Sequence, residues 1–286
     1  MLRLGIMMFI LTGIMVALGY VVGLLFGSPE LFTLGALALA VVFNAVSFFA
    51  SDRIVISMTK AKLVSEAEQP TLHRIVSSLA LGAGLPKPKV AMVESPVPNA
   101  FATGRGPSNS VVAVTSGLMK AINEDELEGV LSHEISHIKH RDVLVSTVAA
   151  TMAGAISYLA LVGRLGAYSG DSRNSNAAGL ALILSFLAPL AAFLVQTAVS
   201  RGREFEADSE GASLSRKPLS LASALEKIER VAKSGAQIRT NPSTSPLWIV
   251  NPFRADEMVS LFSTHPPTAK RVERLRGIAG KMGSLK

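Results

Sequence analysis

Four stretches of this chain carry no charged side chain: Leu4 to Phe26, Leu31 to Ala50, Val143 to Val162 and Ala177 to Val199. Each is about 20 residues, which at 1.5 Å per residue spans the ~30 Å hydrocarbon core of a bilayer. The rest of the composition agrees, with only 17% of residues charged and a mean hydropathy of +0.40. Buried core helices of a soluble fold are the competing reading, but four uncharged runs of this length are hard to place in one. The first run is long for a signal-peptide core, its exit at Gly27-Ser28-Pro29-Glu30 lacks an Ala-x-Ala pattern, and a second run follows at once. The sequence therefore predicts four transmembrane helices, the first of them a retained anchor.

Orientation follows from the distribution of Lys and Arg. The link Gly27 to Glu30 has none, whereas Arg53, Lys60 and Lys62 follow the second run, Lys139 and Arg141 precede the third, and Arg201 and Arg203 follow the fourth. Arg164 and Arg173 between the third and fourth runs oppose this pattern weakly. Both termini and the polar mass are expected on the cytoplasmic side. The formal net charge of +7 reflects these juxtamembrane residues and favours anionic lipid. No basic stretch is interleaved with aromatics, so nucleic acid is not an expected partner. Cysteine is absent, which excludes disulfides and thiolate ligands.

Two hairpins thus alternate with two polar segments. Residues 1–50 form the first hairpin, with spans at about 4–26 and 31–50. Residues 51–142 form a polar segment with a sheet and a functional helix. Residues 143–199 form the second hairpin, with spans at about 143–162 and 177–199, and residues 200–286 form a helical segment. Within 51–142, Pro70 to Leu85 reads as a helix stopping at Gly82 to Pro86. Val90 to Val93 and Val111 to Val114 read as strands, with a Gly-Pro-Ser-Asn turn at 106–109. A helix capped by Asn123 and Glu126 follows, its buried stripe made by Leu127, Val130, Leu131, Ile135 and Ile138. Further on, Leu219 to Ser234 is amphipathic, Asn241 to Phe253 is a Pro/Ser-rich loop with the only Trp, and Pro267 to Met282 is a last helix.

The capped helix carries His133-Glu134-Ile135-Ser136-His137. Histidines four apart on a helix share a face and can reach one zinc ion, and the glutamate beside the first can act on water at that ion. A catalytic zinc usually has three protein ligands. The extended motif with Gly and His three and six residues after the second histidine fails, because His140 and Val143 stand there. The third ligand is therefore sought in Ser200 to Asp208, where Glu204 and Asp208 share a helix face: one can bind metal while the other braces a histidine. Glu206 competes for the metal from another face, and His140 is an alternative ligand. His137 lies about six residues before the third run and Glu204 about five after the fourth, so both would sit roughly 8–9 Å from the same membrane face.

His133-Glu134-x-x-His137, followed after a hydrophobic hairpin by Glu204-x-x-x-Asp208, resembles the HtpX-type membrane zinc metalloproteases, relatives of the CAAX prenyl endopeptidase. Pro98 to Gly104 and Ser263-Thr264-His265-Pro266-Pro267 extend the resemblance over nearly the whole chain. It implies a mostly α membrane protein with four transmembrane helices and a cytoplasmic α+β, gluzincin-like catalytic domain containing a small sheet. It implies one zinc per chain on His133, His137 and Glu204, Glu134 as general base and Asp208 as a partner behind the ligands. Asn99, Ala100, Phe101, Ala102 and Thr103 would form an edge strand pairing with polypeptide substrate, and His265 would stabilise the tetrahedral intermediate. The role implied is cleavage of damaged or misfolded membrane proteins in a bacterial inner membrane.

Two other functions fit parts of this pattern. An intramembrane protease would carry the metal motif inside a span, whereas Lys139, His140, Arg141 and Asp142 make it interfacial. A scaffold or transporter with a structural zinc would need four closed ligands and no general base, so Glu134 is the discriminating residue.

Overall fold

The computed structural model describes residues 2–169, 200–234, 242–250 and 266–283. The fourth apolar run, Ala177 to Val199, lies outside the described residues, as does His265. Helices α1 (Leu2–Phe26) and α2 (Pro29–Phe49) form an antiparallel hairpin turned at Gly27, with Pro29 opening α2. Leu4–Leu24 and Pro29–Phe49 are each 21 residues long and apolar enough to cross a membrane. In hydrocarbon no hydrophobic force pairs such helices, so close packing and polar contacts must. A Cβ on Gly19 would lie 2.4 Å from Ala36 Cβ, so only glycine permits this approach. Asn44 Nδ2 donates to Thr12 Oγ1 at 2.9 Å across the pair.

Helix α3 (Ser51–Thr59), a short one that hydropathy alone does not reveal, leads to a four-stranded mixed sheet. The strands are β1 (Lys62–Leu63), β2 (Lys89–Val93), β3 (Ala100–Gly106) and β4 (Asn109–Thr115), in spatial order β1-β2-β4-β3. β2 and β4 run parallel, while β3 and β4 form an antiparallel hairpin in which Ala100 faces Val114. Both faces are covered, so the strands read as nearly continuous apolar runs. Val90, Ala100, Ala102, Val112 and Val114 pack with helix α4 (Pro70–Gly82) and the motif helix α6 (Glu124–Lys139). Ala91, Val93, Phe101, Val111 and Ala113 pack instead with Val55, Ala150 and Trp248. A short helix α5 (Ser116–Ala121) joins β4 to α6, and Thr115 caps it by accepting the Leu118 N–H at 3.1 Å.

Helix α7 (Asp142–Ser169) contains the third apolar run. Its first half is buried inside the protein: Leu144, Val148, Ala149, Met152, Ala153 and Ile156 pack with Leu4, Met7 and Leu11 of α1. The other side of this half meets the sheet, where Thr147 Oγ1 lies 3.0 Å from Thr103 Oγ1. The absence of charge here thus serves protein packing as well as any contact with lipid.

Helices α8 (Arg201–Ser215), α9 (Pro218–Lys233) and α10 (Thr268–Gly283) complete the helical layer. Within the Pro/Ser-rich stretch, Pro242–Leu247 coils into a 3-10 turn. Beyond it Trp248 is fully buried and packs edge-on against Phe101, centroids 4.8 Å apart.

Candidate active site

The site is assembled on α6. Asn123 Oδ1 accepts the Glu126 N–H at 2.9 Å and the Glu126 carboxylate accepts the Asn123 N–H at 2.9 Å, a closed capping box. Glu126 is buried and also accepts from Ser223 and Lys227 of α9, which anchors the start of the helix. Two turns further on, His133 and His137 project from one face with their Nε2 atoms 3.2 Å apart.

Helix α8 delivers the carboxylate. It lies against α6 with almost no gap, since a Cβ on Gly211 would sit 2.9 Å from the His133 backbone nitrogen. Glu204 thereby places Oε1 3.4 Å from His137 Nε2 and Oε2 3.7 Å from His133 Nε2. Ligand atoms held tetrahedrally at the 2.0–2.1 Å typical of zinc lie about 3.4 Å from one another. The three separations of 3.2, 3.4 and 3.7 Å match that spacing. Among the described residues, His133, His137 and Glu204 are the group of three potential ligands close enough to hold one ion. The competitors stand apart: Glu206 is exposed, and His140 Nε2 pairs with Glu210 at 3.0 Å.

Behind His133 sits a residue that the sequence reading does not single out. Arg271 of α10 is 1% exposed and grips Asp208 with two parallel hydrogen bonds, Nε to Oδ2 at 2.8 Å and Nη2 to Oδ1 at 2.7 Å. Asp208 Oδ1 is in turn 3.0 Å from His133 Nδ1. A third donation from Arg271 Nη1 reaches the Ile249 carbonyl at 3.0 Å. Burial alone would raise the Asp208 carboxyl, but the Arg271 guanidinium overrides it and holds the group well below the usual carboxylate range. Burial and the Arg271 charge together push His133 down to about 4, keeping it neutral as a metal ligand must be. For His137, burial pulls down, but the Glu204 and Glu134 carboxylates together pull up by more, so its affinity for a proton rises.

Glu134 is fully enclosed, and burial pushes its carboxyl up to about 7, against opposing contributions from His137 and from the Ala102 backbone N–H that it accepts. A carboxyl poised near neutrality suits a group that must both take and return a proton. The cavity beside it measures ≈ 30 Å³, space for a water or two, between Ala102, His133, Glu134, His137, Glu204 and Trp248.

The stretch Asn99 to Thr103 is buried throughout. Asn99 Nδ2 donates to the Val250 carbonyl at 2.7 Å and its backbone N–H to Thr115 Oγ1 at 2.9 Å. The outer edge of β3 is covered at Ala100, whose carbonyl accepts the Ile249 N–H at 3.0 Å, and Phe101 bridges Trp248. Of these residues it is Ala102 that lines the cavity.

Comparison with known proteins places the sequence among known families and relatives. Residues 66–279 match the model of peptidase family M48. A "Protease HtpX homolog" of Pyrococcus furiosus is 51% identical over 99% of this chain and 97% of that protein. A protein of the same name from Persephonella marina is 43% identical over 96% of each chain. The crystal structure of S. mikatae Ste24p aligns with 95% of this chain and 62% of its own, at 18% identity and a TM-score of 0.49.

Proposed function

The chain belongs to peptidase family M48 and is a metalloprotease, and from that premise we propose that it is an integral-membrane zinc endopeptidase that cleaves damaged or misfolded membrane proteins at the cytoplasmic face. The observation that carries the reading is the tetrahedral spacing of His133, His137 and Glu204 beside a buried carboxyl that is not among them. When bound, zinc would polarise the scissile carbonyl and acidify water at the site.

The chain's own groups do the rest. Glu134 takes the proton of the attacking water and returns it to the leaving amine. Asp208, held by Arg271, accepts the Nδ1 proton of His133, which leaves Nε2 free to ligate. The buried position of Glu134 keeps bulk water away from the transferred proton. Ala102 lines the cavity, and main-chain pairing of an extended substrate along β3 would run from there away from Ala100, which Ile249 covers, an arrangement that binds many sequences with little preference. His265 as stabiliser of the tetrahedral intermediate rests on the family resemblance.

Membrane attachment is supported by the two long apolar helices and cytoplasmic orientation by Arg53, Lys60, Lys62, Arg201 and Arg203. The test is proteolysis of an unfolded membrane-protein substrate by the detergent-purified chain. Cleavage should cease in excess chelator and return when zinc is restored. Undiminished cleavage after verified removal of metal contradicts the proposal.

A further inference from the structure

The second histidine has a brace of its own. His137 Nδ1 lies 3.4 Å from Asp142 Oδ2, and the other oxygen of Asp142 forms an ion pair with Arg203 Nη1. Had α6 simply continued, Asp142 would stand about 140° around the axis and about 7.5 Å along it from His137, pointing elsewhere. The chain breaks the helix at one residue instead. Arg141 adopts the left-handed conformation at φ 60°, its N–H donating to the Ile138 carbonyl at 3.1 Å. That conformation is costly for a side chain with a Cβ, and no Asn or Gly is present to ease it. The turn folds Asp142 back over His137.

We infer that Asp142 is a positioning residue for His137, with Arg203 holding the carboxylate in place. The inference rests on the reading that His137 is a metal ligand. An acceptor on Nδ1 fixes that proton there and leaves Nε2, the atom 3.4 Å from Glu204, as the ligating nitrogen. The arrangement repeats the one behind His133, where Arg271 holds Asp208 against Nδ1. The two braces differ in depth. Asp208 and Arg271 are sealed inside, whereas Arg203 is 39% exposed and lines the cavity together with Asp142. Arg203 also immediately precedes Glu204, so its grip on Asp142 ties the third ligand's helix to the α6–α7 junction.

The experiment is zinc affinity of the full-length chain in detergent, measured by competition with a chromophoric chelator, alongside thermal unfolding of the metal-free protein. Asp142→Ala and Asp142→Asn should each weaken zinc by about 10- to 100-fold, with the metal-free midpoint nearly unchanged. Asp142→Glu should recover part of the loss, and Arg203→Met should weaken zinc less than Asp142→Ala. A role confined to the helix terminus would move the metal-free midpoint and leave affinity alone. Zinc affinity within twofold of wild type in both Asp142→Ala and the isosteric Asp142→Asn overturns the inference. Failure of the wild-type chain to take up zinc would instead overturn the functional reading on which it rests.

Discussion

Replacing Glu134 by Gln is expected to abolish cleavage while leaving the metal content at the wild-type level. Gln has the same shape and its Oε1 can still accept the Ala102 N–H that the Glu134 carboxylate accepts, but it cannot carry a proton between water and amine. Removal of a general base costs about 10²- to 10⁴-fold in rate. Glu134 is not one of the three clustered ligand residues, so the metal should stay. A second consequence has a definite sign. The folded-state pKa of about 7 lies above the ordinary 4.5, so the buried group destabilises the metal-free fold as pH rises through that interval, by up to about 3 kcal/mol. The metal-free Gln variant should therefore melt higher than wild type at pH 8 and no higher at pH 4. Turnover within tenfold of wild type would move the base to another residue.

Arg271→Met should be the most destabilising single change behind the site. Asp208 is 1% exposed, and the substitution strands its charge in the interior. Breaking a buried pair by removing one partner costs about 3–5 kcal/mol, which for a domain of this size lowers the melting midpoint by roughly 10 °C. Arg271→Lys should recover only part, because an ammonium cannot reproduce the two parallel bonds to Asp208 and the third to Ile249. The pH dependence separates this from simple loss of packing. The Asp208 carboxyl is held below its ordinary value of 3.8, so its stabilisation is complete above about pH 4 and disappears on further acidification. That acid-side loss should flatten in Arg271→Met. A midpoint within 2 °C of wild type, with unchanged acid sensitivity, would contradict the assigned role.

What the sequence discloses here depends on how locally the information is written. The His133–His137 pair is an i, i+4 repeat on a helix whose start is marked by Asn123 and Glu126, and both signals lie within one element. Glu204 lies far from that pair in sequence: the expectation that an apolar hairpin separates them puts it at the depth of His137, and the resemblance to the HtpX-type family singles it out from Asp208 and Glu206. Arg271 is hidden in the sequence among Lys270, Arg274, Arg276 and Lys281, which make its helix look uniformly solvated. Its register nevertheless betrays it: Thr268, Arg271, Val272 and Leu275 form the buried stripe of α10, and an arginine on such a stripe needs a buried carboxylate opposite. Asp142 is hidden for another reason. Its proximity to His137 depends on the single left-handed residue Arg141, a position where glycine would be the usual signal. The third apolar run shows a further limit, since freedom from charge does not distinguish contact with lipid from the packing of Val148 and Met152 against α1.

His133, His137 and Glu204 are expected to hold one ion between α6 and α8. Metal analysis of detergent-purified wild-type and Glu204→Ala protein tests this most directly. Wild type should carry about one zinc per chain and the variant only a small fraction of that after dialysis. Zinc retained by Glu204→Ala at the wild-type level would place the third ligand elsewhere and contradict the site as described.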